Sequence, residues 1–148
     1  MNHGGETMIR PMTFQDLQEV VLLSGQLGYP LDMHALGARF QRLRADENRV
    51  LLVFEDPGIG VVGWVHAHIE EGLLLSPRTE IRALIVGEEH RRKGIGKALV
   101  RSVEAWTKEI GMESVFLRTN ESREGAHQFY KNIGYKKSKT SYLFTKDI

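Results

Sequence analysis

The stretch Arg91-Arg92-Lys93-Gly94-Ile95-Gly96-Lys97 governs the reading of the whole chain. It follows a short apolar run, Ile81 to Val86, with the composition of a buried strand. It opens a segment in which Ile95, Leu99, Val103, Trp106 and Ile110 recur at helical spacing. A strand, a basic glycine turn and a helix N-terminus make a site for a phosphate. Free backbone N–H groups and the positive end of the helix dipole point at one spot. Gly94 and Gly96 carry no Cβ, so the backbone can approach a ligand closely.

Two familiar phosphate loops do not fit. A Walker loop needs a glycine where Arg91 stands and a Ser or Thr where Ala98 stands. A dinucleotide fingerprint starting at Gly94 needs a small residue at Leu99. Arg91-x-x-Gly94-x-Gly96 instead resembles the acetyl-CoA pyrophosphate loop of the GNAT superfamily of N-acetyltransferases. Taken alone, the same stretch also reads as a solvated basic turn capping an ordinary helix.

A chain of 148 residues is most simply one domain, large enough for a sizeable core. Met8 stands where the first strand is expected to begin, so residues 1–7 read as a disordered extension and residues 8–148 as a single domain. Net charge is +1, which gives no global reason to expect nucleic acid; the basic character is local, at positions 91 to 101. There is no cysteine, which excludes a disulfide framework, a thiolate zinc site and a cysteine nucleophile. Apolar runs fall short of a membrane span, and the polar opening residues do not read as a signal peptide. A cytoplasmic location without membrane attachment is the expectation.

Ile9 to Met12 reads as a first strand, followed by Thr13 as N-cap with Asp16 three residues on, an abbreviated capping box. Phe14, Leu17, Val20, Val21 and Ser24 share a helical face. Gly28-Tyr29-Pro30 breaks that helix, and Asp32 caps a second with Met33, Leu36, Phe40 and Leu43 inward. Arg49 to Glu55 and Gly60 to Ile69 form a hairpin through Asp56-Pro57-Gly58. The Glu80–Val86 strand leads into the loop and a long helix ended by Gly111. Val115 to Thr119 is a strand and Ser122 to Ile133 a helix, with Ala126, Phe129 and Ile133 inward and Gly134 at its end. Tyr135 to Lys139 and Ser141 to Thr145 read as two final strands. The order β-α-α-β-β-β-α-β-α-β-β is that of an α+β (mixed α/β) domain. It is similar to the GNAT order from about Ile9 to Thr145, which implies a central twisted mixed sheet of six to seven strands flanked by four helices.

Acetyl transfer to an amine needs a base to free the amine, a donor for the thioester oxyanion and an acid for the departing thiolate. Ala126-His127-Gln128-Phe129-Tyr130 before Gly134-Tyr135 resembles the GNAT Ala-x-x-Phe-Tyr stretch, in which the tyrosine protonates the coenzyme A sulfur; this makes Tyr130 the expected acid. It also reads as a structural aromatic at a helix–sheet seam. Glu80, eleven positions before Arg91, matches the spacing of the glutamate base in members that use one. At the mouth of an apolar cleft a carboxylate has a raised pKa and can draw a proton from the amine through water; at a strand end it is equally a solvated charge.

The resemblance further implies that main-chain groups of Leu84, Ile85 and Val86 pair with the pantetheine arm as an added strand does. Arg92, Lys93, Gly94, Ile95, Gly96 and Lys97 would wrap the pyrophosphate, with Arg91 and Lys97 adding charge. Asn120 matches a polar residue that contacts the pantetheine amide, or is a loop asparagine. Many members place a proline shortly after the position of Val86; here Gly87-Glu88-Glu89-His90 stands instead, so the approach to Arg91 is expected to differ. Trp64, His66 and His68 share a strand face; without a third ligand in the sequence pattern they read as packing under a helix or reaching the acceptor cleft, and no metal is expected. Tyr29, Arg39 and Phe40 touch substrate or form core on this reading.

The chain is therefore identified as a GNAT-type N-acetyltransferase using acetyl-CoA and an amine acceptor, with a homodimer possible in this family. The alternative is a non-catalytic acyl-CoA-binding or regulatory module on the same scaffold, which keeps the loop and needs neither Glu80 nor Tyr130. The acceptor stays open: Ala126 to Tyr130 with Phe144-Thr145-Lys146 resembles the branch that includes aminoglycoside acetylases, and a protein N-terminus or lysine is equally compatible.

Overall fold

Gly60–Glu70 is the central strand, β3, and its alternating Val, Trp, His and Ala residues give it two covered faces. Around it, the computed structural model describes residues 8–148, and the expected extension over residues 1–7 lies outside the described residues. The chain falls into two units, one ending at Leu117 and the other Arg118–Ile148. In the first, β1 (Ile9–Pro11), α1 (Leu17–Gln26) and α2 (Met33–Arg44) precede the β2 (Arg49–Asp56)–β3 hairpin. Then come β4 (Arg78–Val86), α3 (Ile95–Glu109) and β5 (Val115–Leu117). Strand order is β1-β2-β3-β4-β5. The first three pairings are antiparallel and β4–β5 is parallel.

The hairpin turn forms as its residues dictate: the Gly58 N–H donates to Asp56 Oδ1 (2.9 Å), and Asp56 pairs with Gly60. One face of the sheet carries Val53 and Ile85, which pack with Met12, Leu17, Val20, Leu23 and Phe40 of the α1/α2 layer. In α1 the buried stripe is Leu17, Val20, Leu23 and Ser24, whereas Phe14 lies exposed in a 3-10 turn (Phe14–Asp16) and Val21 on the flank. Asp32 caps α2 as expected, accepting the Ala35 N–H at 2.8 Å; Met33 at its start is exposed.

On the opposite face lies α3, with Ile95, Leu99, Val100, Val103 and Thr107 buried. The stripe thus runs at steps of four, and Ile110, expected inward, is exposed. Close seating depends on Gly63 of β3: a Cβ there would meet Ile85 O at 3.1 Å, Ile95 Cγ2 at 3.2 Å and Leu99 Cδ1 at 3.3 Å. At the helix's far end, the Thr107 and Thr79 hydroxyls lie 2.8 Å apart in the buried layer. Gly111 takes φ +83, and the Met112 N–H donates to the Thr107 carbonyl, the left-handed helix stop its sequence announces.

The second unit contains α4 (Glu124–Asn132), stopped in the same way by Gly134 at φ +103, with Tyr135 N–H on the Tyr130 carbonyl (2.9 Å). The two final strands expected over Tyr135–Lys139 and Ser141–Thr145 are not present, and the described sheet has five strands rather than six to seven. Residues 135–148 enter no ladder. Lys136, Lys137 and Lys139 crowd one stretch, and Tyr142, Leu143 and Phe144 are 85–91% exposed. Without a neighbouring strand to ladder with among the described residues, alternation alone does not make a strand. The β4 strand begins two residues before Glu80, at Arg78, and β5 stops at Leu117 rather than Thr119.

Two stability outcomes follow from this packing. Gly63→Val pushes Ile95 and Leu99 off the sheet and costs about 1–3 kcal/mol in urea unfolding. Asp16 is buried and holds Arg10 through two bonds (2.8 and 2.9 Å) and the Thr13 N–H (2.7 Å). Arg10 and Thr13 keep its carboxyl below the usual range against the opposing effect of burial. Asp16→Ala leaves that guanidinium and amide without their acceptor, and thermal unfolding should register a loss of about 3 kcal/mol.

Candidate active site

Strand β4 is held unequally by its neighbours. Its ladder with β3 runs from Arg78 to Val86, while its ladder with β5 covers only Thr79, Glu80 and Ile81. The segment 82–86 therefore keeps one edge outside any ladder among the described residues. That segment contains Leu84, Ile85 and Val86, whose main chain the resemblance assigns to the pantetheine arm. A strand edge of this kind offers N–H and C=O groups to an extended ligand.

The register with β3 slips at the same place. His66 pairs with Ala83 and Ala67 with Ile81, so Arg82 is the extra residue of a bulge. The slip resets the alternation. Glu80 opposite His68, Ala83 opposite His66 and Ile85 opposite Trp64 now share the α1/α2 face. Beyond the helices that cover Trp64, this face carries a run of polar side chains.

Within that run, Glu80 is no solvated strand-end charge. Its side chain is 5% exposed, and its Oε1 lies 2.9 Å from His68 Nε2 and 3.4 Å from Arg82 Nη1. His68 is 22% exposed and Arg82 52%, so the pair lies at the rim with its carboxylate inside. His66 is committed differently. Arg49 Nη1 donates to its Nε2 at 2.8 Å, so that nitrogen carries no proton. Burial, with the nearby positive charge of Arg49, pushes the His66 imidazole down to about 4. The Arg49 guanidinium also bonds Asp46 (3.4 Å). Both ring nitrogens facing these neighbours are thus engaged, and no cluster of three metal-ligating groups occurs among the described residues. Phe40 belongs to the core, while Tyr29 and Arg39 are exposed.

From Val86 the chain passes through Gly87, whose N–H donates to Val62 O at 2.9 Å, into a 3-10 turn over Glu88–His90. This turn occupies the place of the missing proline. Arg91, Arg92, Lys93, Gly94 and Lys97 are exposed, Gly96 is half-buried and Ile95 is anchored in the core. Gly94 takes φ +80 and caps α3 without any side-chain bond, leaving the Ile95, Gly96 and Lys97 amides without helical acceptors. A Cβ on Gly94 would meet nothing within 4 Å, so the space beside it is open. Arg92 at φ 65 is the one described non-glycine residue in the left-handed region, a conformation costing about 1–3 kcal/mol. Basic side chains, uncapped amides and the dipole of a long helix meet here, and the residues suit a diphosphate.

In the second unit, Tyr130 lies half-buried on α4. Its ring meets Phe129 (4.9 Å) and Tyr135 (5.8 Å) edge to face. Burial pushes the phenol up to about 12, against the positive charge of Arg123. At neutral pH it holds its proton. Asn120 does not extend an unused amide: its Oδ1 accepts from the Ser122 N–H (2.9 Å) and hydroxyl (2.8 Å). Its carbonyl lies 2.9 Å from His127 Nε2, so His127 ties the loop to α4.

Sequence reasoning placed Glu80 and His68 in one region without pairing them. The pairing is non-local: it joins residues of two strands across the β3–β4 connection, and composition carries no signal for it.

Comparison with known proteins agrees with this geometry. The profile of the Acetyltransferase (GNAT) family matches residues 14–135, across both units. Human N-acetyltransferase 8 is 34% identical over 89 residues, covering 60% of this chain and 38% of that protein. The chain spans less than two fifths of the length of the curated relatives it matches first. Among solved structures, a transcriptional regulator from Bacillus halodurans superposes with TM-score 0.81 at 26% identity, over 93% of this chain and 98% of that one. An aminoglycoside 6'-N-acetyltransferase from Acinetobacter baumannii shares the fold with TM-score 0.83 at 21% identity, over 95% of this chain and 97% of that one. With a glycine loop, a half-laddered β4 and a family match over most of its length, this chain belongs to the GNAT family of acetyltransferases.

Proposed function

We propose that the chain is a single N-acetyltransferase domain that moves the acetyl group of acetyl-CoA to a primary amine by direct attack in a ternary complex. The observation that carries this reading is β4, whose edge lacks a ladder among the described residues over the five positions that run toward the glycine loop. An extended pantetheine arm along Leu84, Ile85 and Val86 would bring the diphosphate to the amides of 94–97 and leave the thioester near the Glu80 end of the strand.

In this scheme an alkylammonium acceptor gives one proton to Glu80. The free amine adds to the thioester carbonyl carbon, and the oxyanion is met by a β4 main-chain N–H. Collapse breaks the C–S bond, and the sulfur takes the Tyr130 proton. The proton shed by nitrogen on becoming an amide returns to the phenolate through solvent. A phenol raised to about 12 matches a group that must arrive protonated. The acceptor in this scheme is a primary amine, of a small molecule or a protein.

Two measurements test the scheme. Tyr130→Phe should lower kcat about 100-fold or more with KM for acetyl-CoA changed less than about twofold; an unchanged kcat removes the acid role of Tyr130, and a wild-type chain that binds coenzyme A but turns over no amine leaves only the acyl-CoA-binding module. Gly94→Ala puts a Cβ into a left-handed cap, and calorimetry should find coenzyme A bound about tenfold more weakly.

A further inference from the structure

We infer that His68 is the positioning residue of the acetyl-transfer site, holding the Glu80 carboxylate in the orientation that receives the acceptor proton. The inference rests on the proposed base role of Glu80 and adds to it a second residue on a different strand.

The geometry singles out His68 over its neighbours. Glu80 and His68 are register partners across β3–β4, and their side chains meet at 2.9 Å. Glu80 is buried, and His68 is the more exposed of the two. A glutamate has three side-chain torsions, and a free one would sample several rotamers. A cross-strand bond from a stiff imidazole removes that freedom, and the ladder on both edges of β3 fixes the imidazole's own position. With Glu80 ionised, His68 Nε2–H donates to Oε1. Arg82, the bulge residue, also reaches Oε1, but at 3.4 Å from a half-exposed side chain. It supplies charge more than direction.

His66 cannot take this part. Its Nε2 accepts from Arg49 and so has no proton to offer, and it pairs across the ladder with Ala83. Two further charged groups near His68 have partners of their own. Arg49, its register partner on β2, bonds His66 and Asp46. Glu70, two residues on in β3, bonds Arg78 at 3.3 Å. His68 is thus the neighbour whose ring nitrogen directly engages the carboxylate.

The step served is the first proton transfer: the acceptor N–H bond breaks, its electron pair stays on nitrogen, and the proton passes to Glu80. Misplacing that carboxylate by about 1 Å is enough to cost about 100-fold. The test uses the full chain, with coenzyme A release followed by thiol detection against a panel of small primary amines and peptide N-termini. His68→Leu should lower kcat about 100-fold with KM for acetyl-CoA within about twofold. His68→Gln, whose amide offers a donor at the reach of Nε2, should restore kcat to within about tenfold of wild type. In a Glu80→Gln background the further change His68→Leu should cost nothing.

A fully active His68→Leu enzyme overturns the inference. So does an equal loss in the Glu80→Gln background, which would make the histidine a separate structural element. A fully active Glu80→Gln enzyme instead removes the base role itself, and His68 falls with it. Independently of any acceptor, the Nε2–H proton of His68 should give a slowly exchanging NMR resonance that is lost in Glu80→Leu. Its absence from the wild-type chain, or its persistence in that variant, overturns the pairing.

Discussion

The inequality of the two ladders on β4 is the constraint from which the rest of the site follows. Eight of its nine residues pair with β3 and three with β5. A strand held along one edge keeps its shape, because the central β3 is itself laddered on both sides. The other edge is then available without any loss of order. Antiparallel pairing fixes the strand, early termination of the parallel pairing opens it, and the glycine turn begins where it ends. Rigidity and accessibility, which normally oppose each other in a sheet, are separated onto the two edges of one strand.

Much of this was legible in the chain. The Asp56-Pro57-Gly58 turn, the Asp32 cap and the two helix-ending glycines are local chemistry, and each forms where its residues stand. The glycine loop is local too, and its amides, its left-handed Gly94 and its basic rim were predictable from seven letters. What was not legible is non-local. The Arg82 bulge depends on how two strands twist against each other, and the Glu80–His68 bond depends on the register of two strands twelve residues apart in sequence. The inward stripe of α3 shifted from Ile110 to Thr107 because a threonine with a buried hydroxyl partner can occupy a core position that hydrophobicity alone gives to isoleucine.

The chain after Gly134 shows the opposite failure. Aromatic and aliphatic residues at Tyr135, Tyr142, Leu143 and Phe144 look like strand material, and no ladder takes them up. Strand propensity describes how well a side chain fits a pleated surface, and it carries no information about whether an edge is there to join. Helices close their hydrogen bonds within themselves, so α4 forms next to a stretch that does not.

The pair of hydroxyls at Thr79 and Thr107 has a mechanical side. Apolar contacts let a helix slide along a sheet at small cost, since one methyl group replaces another. A directional bond between two alcohols in a dry layer does not slide: axial creep of α3 breaks it, and Thr107 keeps only the Val103 carbonyl of its own helix. It works as a dowel pin at the rear of the helix, and with Gly63 admitting the front, both ends of α3 are seated on the sheet from which the glycine loop departs.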